Sequence, residues 1–407
     1  MRHWISSAKS APAAAPSLAA LALIAAAIGA SGCVRLGMYD LHPAAAYWVD
    51  NSESNAPHTG EFDFNSVSIS PDGAAWIAGD KFILRAHGDQ LEVTFANLGS
   101  HRVQTLRSIA ARGDAVWVGG SRSWERSKAV VWRRQAGGEW TPALAGLETD
   151  DRTVYDLDFS PGGEGVAVLF HHANAASELA VFDGAQWRPI AVPHHPRKGA
   201  HVCQRDDGAT FLGLVASPEA AIYRLVDSAW VAEALPLALP AAAEGELIVP
   251  RLSCFADGTV LASVALRRGS DVDPERWWLF RRQGDSWQEV PFPAEYHRGG
   301  AFITGGVGSD DFWVAGSCAG CDPSLLHFTA GQWHSVEPPA LPGGRRRGYL
   351  LKEIAFHSAN DGWAIGDEVV GPNLNRGVIF HYRDGVWSYR PWNWRFWNQP
   401  LWGLLGD

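Results

Sequence analysis

Five cysteines and 15 histidines are the residues of this 407-residue chain best suited to redox, nucleophilic or metal chemistry, and their spacing narrows what they can do. Cys318-Ala-Gly-Cys321 is a C-x-x-C pair, which closes a small disulfide loop or supplies half of a zinc or redox motif. A four-ligand zinc site needs a second such pair and a thioredoxin-like motif needs a βαβ setting. The chain offers neither, so a structural Cys318–Cys321 disulfide is expected. Cys203 and Cys254 stand in corresponding strands of adjacent repeats. Counting back from the turns places them one residue out of register, and a one-residue slip turns a strand side chain to the opposite face, so their pairing stays open. His171-His172 and His194-His195, with His201 beyond them, diverge in extended chain and meet no array of acids at ligand spacing, so neither a metal nor a cofactor is expected.

Arginine and lysine gather elsewhere. Arg122, Arg126 and Lys128, with Trp124 among them, Arg197 and Lys198, Arg267 and Arg268, and Arg345, Arg346 and Arg347 all fall in long irregular connections. The whole chain is nevertheless acidic, with a formal charge of -10, which argues against a bulk nucleic-acid binder. A basic patch on an acidic protein suits an acidic protein partner or an anionic glycan or lipid. Neither convergent carboxylates nor an arginine cluster with a general base recur at matching positions of the repeats, so no catalytic residue is nominated.

These side chains need a frame, and the chain supplies one seven times. An apolar strand, a tight polar turn and a tryptophan opening the next strand recur about every fifty residues, a period that signifies a propeller. The copies end at Trp140, Trp187, Trp230, Trp287, Trp333 and Trp387, with a weaker first copy, FILRAHGDQL, ending at Leu91. Upstream of each lies a second hairpin, clearest in KEIAFHSANDGWAIGD, AFITGGVGSDDFWVAGS, LRSIAARGDAVWVGGS and SVSISPDGAAWIAGD. Gly and Asp mark turns that need positive φ or an Asx turn. Four strands per repeat and seven repeats predict an all-β fold: a seven-bladed β-propeller of four-stranded antiparallel sheets over residues 66–390. The repeats resemble those of bacterial extracellular propellers with Trp-ended, DGxW-type turns, and are loosely similar to the sialidase-like and assembly-factor propellers. SPDGAAW is one residue shorter than a sialidase Asp-box, and HYRDGVW lacks the Thr and double Gly of the assembly factors.

Ten of the 20 tryptophans (Trp76, Trp117, Trp313 and Trp363 in the second strands, and the six closing ones) are expected to pack between blades. Trp124, Trp132, Trp277, Trp278 and the terminal Trp392, Trp394, Trp397 and Trp402 remain as contact candidates. In a four-stranded blade the second-to-third connections and the blade-to-blade links emerge on one face. Here both are long, making that face the expected binding surface.

Residues 1–32 form a basic start and an apolar run, Leu18 to Ala30, too short for a comfortable bilayer span, which reads as a secretory signal. The ending Ala30-Ser31-Gly32-Cys33 resembles a bacterial lipobox, implying acylation of Cys33 and a membrane tether. Val34 follows, which by resemblance to known sorting behaviour favours the outer membrane. Residues 33–65 read as a lipid-anchored spacer, with AAYWVDN around Trp48 as a candidate closing strand, and residues 391–407 as a Trp-rich tail that folds back on the propeller. The expectation is a monomeric, non-catalytic envelope scaffold that binds an envelope protein or an anionic glycan or lipid. The alternatives are a carbohydrate-binding propeller and a glycosidase- or lyase-type propeller enzyme working in the central channel.

Overall fold

The computed structural model describes residues 63–391 apart from 81, 292, 372–373 and the connections 97–103, 123–126, 193–199, 218–221, 238–245, 268–275, 294–301, 317–323 and 342–348. Residues 1–62, which hold the expected signal and all but the last three residues of the expected spacer, Trp48 included, and the tail from 392 lie outside the described residues, while Phe64 and Asn65 already belong to the first strand. Twenty-eight strands follow one another and no helix occurs among the described residues. They form seven four-stranded antiparallel blades, each of consecutive strands, running 64–96, 104–142, 152–190, 200–233, 246–289, 302–336 and 349–390. The first strands line a central channel: Phe64–Ile69, Gln104–Arg112, Arg152–Phe159, Ala200–Gln204, Glu246–Cys254, Phe302–Gly308 and Tyr349–Ser358. Each packs beside the next, and the last packs beside the first, closing the ring.

Tryptophan fills the wedges as the repeat predicts. Trp117, Trp187, Trp313 and Trp363 are among the largest fully buried side chains. Each second-strand Trp faces a basic residue across the sheet: Trp76 pairs with Arg85, Trp117 with Arg133, Trp313 with His327 and Trp363 with His381. His327 and His381 stack on their indoles at 4.1 and 4.0 Å while bonding Asp311 and Asp361 two residues before each Trp. The closing tryptophans act between blades. The indole N–H of Trp187 donates to Ala143 O, that of Trp287 to Glu233 Oε2 and that of Trp333 to Pro291 O, each at or just beyond the end of the preceding blade's outer strand. Trp277 and Trp278 are not contact residues. They point to opposite faces of one strand, into the cores between blades five and six and between blades four and five, and both are buried. Trp132 is packed against the core between blades one and two.

Cys203 and Cys254 form a disulfide. The out-of-register count was right, but it favours pairing. Two sheets that face one another across a wedge present opposite faces, so a one-residue offset turns both side chains into the shared wedge. Val202 accordingly packs toward blade three while Cys203 joins the core shared with blade five, where Leu252 and Cys254 also point. The second strand of blade four extends the same junction by pairing with the first strand of blade five at Val215↔Ile248 and Ser217↔Leu247. Cys318 and Cys321 lie outside the described residues.

A disulfide that closes so long a loop contributes about 2–4 kcal/mol. Reduction, or replacement of Cys203 and Cys254 by Ser, is predicted to lower stability by that amount in denaturant unfolding; curves that coincide with and without reductant would contradict it.

Candidate functional site

Apart from the start of blade five's, which pairs with blade four at Val215 and Ser217, the inner strand of each blade has no ladder partner on its channel side, so its amides there need other acceptors. Side chains of the preceding blade provide them. Glu353 Oε2 accepts from Val67 N at 2.7 Å, Ser66 Oγ from Ile109 N at 3.2 Å, Ser108 Oγ from Leu157 N at 3.1 Å and Asp156 Oδ2 from Val202 N at 3.1 Å. These residues occupy one level of the ring, with His201 and Arg251 continuing it through blades four and five, and together they form a polar waist across the channel. One layer deeper, Ser68 caps Ala111 N and Asp158 caps Gln204 N, while the Cys203–Cys254 bridge spans the next junction at the same offset.

Above the waist, toward the long-loop face, five inner strands carry a bulge, the one in blade five falling between Ile248 and Arg251. The register shifts leave Asn65, Arg107, Tyr155 and Lys352 without an opposite residue. A bulge re-aims its extra side chain, and all four line one pocket over the waist. The glycine three residues after the second-strand Trp makes room for two of these bulges: a Cβ on Gly120 would strike Thr105 O, and one on Gly366 would strike Leu350 O. The Arg107 guanidinium lies 5.1 Å from the centre of the Tyr155 ring. Below the waist the channel widens to about 410 Å³.

Ser108, Asp156 and His201 have the residue types of a hydrolytic triad but the wrong order. Asp156 stands in the middle, 2.9 Å from Ser108 Oγ and 3.2 Å from His201 Nδ1, so the hydroxyl meets a carboxylate and not the imidazole that would take its proton. Burial alone would raise the Asp156 pKa, but the bond and charge of His201, the Arg251 charge and the Val202 N–H outweigh it and hold it below the usual value. Burial pushes Asp158 up against the Arg112 charge and the N–H bonds of Gln204 and Phe159, which occupy both its oxygens. Burial also lowers the Arg251 pKa against the pull of Asp156 and Asp158, and Arg251 is paired with Glu353.

Beside the pocket, at the junction of the last blade with the first, Lys352 is paired with the buried Asp367. Asp63 and Asp80 add charge to the same cluster, and Asn65 Nδ2 donates to Asp80 at 3.1 Å. Burial, followed by the Asp63 charge, raises Asp80. Burial carries Asp367 from 3.8 to about 7 despite Lys352, with Asp63 and Asp80 adding to the rise.

Of the residues nominated from sequence, Arg122 is described and exposed at the end of a second strand, and Arg267 ends the corresponding strand of blade five. Both termini open on the long-loop face. Cys33, Trp124, Arg126, Arg197, Lys198, Arg268, Arg345, Arg346 and Arg347 lie outside the described residues, as do His194 and His195. His171 is 3.3 Å from Glu178 and His172 bonds Thr153, and no cluster suited to a metal ion occurs among the described residues. The channel set was missed because its members differ from blade to blade. The glycine of W-x-x-G is a partial signal, marking the bulges of blades two and seven.

No family model matches the chain, and neither does any curated protein. Solved structures do. The GH74 enzyme of Niastella koreensis superposes with a TM-score of 0.58 at 11% identity over 81% of this chain, which spans 54% of that enzyme. The β-propeller domain of the trilobed protease of Pyrococcus furiosus, which has an open velcro topology, gives a TM-score of 0.50 at 10% identity, covering 84% of this chain and 100% of that one. At such identities the likeness concerns the fold alone.

The sign of the Asp367 shift sets a pH dependence. Between about pH 4 and about pH 7 the folded chain holds a proton there that the unfolded chain has lost, so the group's contribution declines as pH rises through that window. The raised Lys352 pKa acts only on the alkaline side of its ordinary 10.5. Asp367→Asn is therefore predicted to gain stability over the wild type between about pH 5 and about pH 8 in urea unfolding; an equal difference at both would contradict the assignment.

Proposed function

We propose that the chain is a non-catalytic binding platform of the bacterial envelope, tethered through Cys33, that recognises its partner on the face bearing the long loops and the channel mouth. One observation carries the reading: the acids that line the channel, Asp156, Asp158 and Glu353, cap the amides of neighbouring blades, while Asp367 beside the pocket is engaged by Lys352. A general acid needs a raised pKa and an oxygen turned to the substrate. Asp156 has a lowered pKa and four bonds, and each Asp158 oxygen already accepts an amide N–H.

Two further features support location and face. A disulfide between inner strands suits an oxidising compartment, in keeping with the signal-like N-terminus. Seven blades locked at their inner edges form a rigid base, and irregular loops on such a base are the usual seat of recognition. The basic loop residues Arg122, Arg267 and Arg345 to Arg347 favour an acidic protein or an anionic glycan or lipid of the envelope.

Crosslinking and affinity capture from the native envelope test the reading. One stoichiometric protein is expected with the wild type, and Cys33→Ser is expected to release the chain from the membrane fraction. Replacing Arg345, Arg346 and Arg347 with Gln should leave the melting temperature unchanged and weaken capture in a salt-sensitive way. Capture of glycan alone would favour a carbohydrate-binding propeller, and turnover of an envelope glycan that is lost in Asp158→Asn would establish an enzyme.

A further inference from the structure

We propose that the channel below the waist takes up the positively charged chain end of a protein partner, which enters in extended form from the face opposite the long loops. The proposal goes beyond the platform reading, since it needs neither the long loops nor a tether at Cys33.

The pattern of amide caps shows which inner edges stay open. Glu353, Ser66, Ser108 and Asp156 stand at one ring level, and each serves an amide of the next blade. Arg251 and Ile303 hold that level in blades five and six, and neither side chain has an acceptor to lend. The amides left without a cap belong to Thr304 and Ile354. Their register is that of the capped amides: Thr304 opposes Val314 and Ile354 opposes Ala364, as Val67 opposes Ile77. Their carbonyls turn away from the ladder too, since Ser253 Oγ donates to Thr304 O at 3.0 Å and a Cβ on Gly305 would strike Ile354 O. One level deeper, Ser68 caps Ala111 N, but Ala355 stands where Ile69 N would need its cap. Ile69 lies two residues beyond Val67 and shares its channel-facing edge. Three adjacent edges, in blades six, seven and one, therefore turn main-chain groups without a ladder partner into the channel. Such an edge recognises another extended backbone.

Space and charge narrow the occupant. The cavity of about 410 Å³ follows all seven inner strands from the waist to the turns, Ser66 to Pro71 in blade one. Five strand residues span about 17 Å, so an extended segment of about that length fits, and the waist across the channel admits it only as a chain end. Polar side chains along the walls are already engaged: Ser68 by Ala111 N, Asp158 by Phe159 N and Gln204 N, and Ser253 by Thr304. A sugar would find few partners for its hydroxyls there, whereas a peptide backbone pairs with the open edges. At the rim, Arg85, Arg205 and Arg281 are paired with Asp72, Asp207 and Asp310. Asp114, Glu164 and Asp206 are exposed in the same ring of turns and stand in no ion pair among the described residues. The mouth therefore keeps an excess of negative charge, which selects lysine or arginine beside the inserted residues.

Two synthetic peptides and the full-length chain test the site. Each peptide joins a run of lysines to a short tail of glycine, serine and valine; the tail ends in a free carboxylate in one and begins with a free amine in the other. Fluorescence anisotropy reads affinity, and hydrogen exchange resolved to single amides reads position. Saturable binding of at least one peptide is expected, weakened about tenfold in the combined variant Asp114→Asn, Glu164→Gln, Asp206→Asn and by at least as much when glutamates replace the lysines. If the combined variant fails to fold by circular dichroism, a salt titration of the wild type replaces it, and affinity is expected to fall as salt rises. Bound peptide is expected to slow exchange at Thr304, Ile354 and Ile69 about tenfold or more while changing the capped Val67 and Ile109 less. Methylating the tail nitrogens removes the N–H groups that pair with the edge, and is expected to weaken binding about tenfold. Whichever peptide binds identifies the end that enters, and either supports the site. Absence of saturable binding by both, binding that leaves Thr304, Ile354 and Ile69 unprotected, or full protection of these three amides before any peptide is added overturns it.

Discussion

The inner edges of seven sheets meet around one channel, and every edge presents amides that its own ladder leaves unbonded. An unmet buried amide costs about 1–3 kcal/mol, and seven blades multiply that cost. The chain meets it by lending side-chain oxygens from one blade to the next: Glu353 to Val67, Ser66 to Ile109, Ser108 to Leu157 and Asp156 to Val202. Where this chain of bonds stops, other contacts take over. The Cys203–Cys254 bridge joins blades four and five, and Ser253 Oγ donates to Thr304 O between five and six. At the sixth junction Gly305 lets its backbone close on Ile354 O, where a Cβ would collide.

The same constraint shapes the channel. Polar residues in a propeller's centre invite a catalytic reading, yet here their geometry is explained by the amides they cap. The serine, aspartate and histidine of the waist stand in an order that stitches strands and leaves the hydroxyl unactivated. Above that network, bulges that interrupt the ladder between the waist and the long loops deliver Asn65, Arg107, Tyr155 and Lys352 to the mouth, where Lys352 is paired with Asp367. Further out, tryptophans hold the wedges, and the indole N–H groups of Trp187, Trp287 and Trp333 tie their outer strands to the preceding blade.

Blade number, strand number and the packing role of the repeat tryptophans were legible because each rests on a local period that a single chain displays. The Cys203–Cys254 bridge was only half legible. The offset could be counted, but its meaning depends on two sheets facing each other, a relation that strand periodicity within one blade does not contain. Trp277 and Trp278 misled for a related reason: adjacent aromatics suggest an exposed face, whereas a strand with a blade on either side buries both. The waist was illegible because Ser, Asp, His, Arg and Glu serve one ring level in different blades, so no repeat alignment flags them. The bulge residues left only a partial trace, the W-x-x-G glycines Gly120 and Gly366, where the opposite backbone swells; blade six has the same motif without that bulge, and blade three the bulge without the motif.

Hydrogen exchange at the inner-edge amides tests the capping network most directly. Val67, Ile109, Leu157 and Val202 lie on a channel-facing edge without a ladder partner, and the account predicts protection comparable to that of central-strand amides. Ser66→Ala should then expose Ile109, whose amide is capped by the Ser66 hydroxyl, while leaving Leu157 protected. Rapid exchange of all four in the wild type, or protection of Ile109 that survives the loss of the Ser66 hydroxyl, would contradict it.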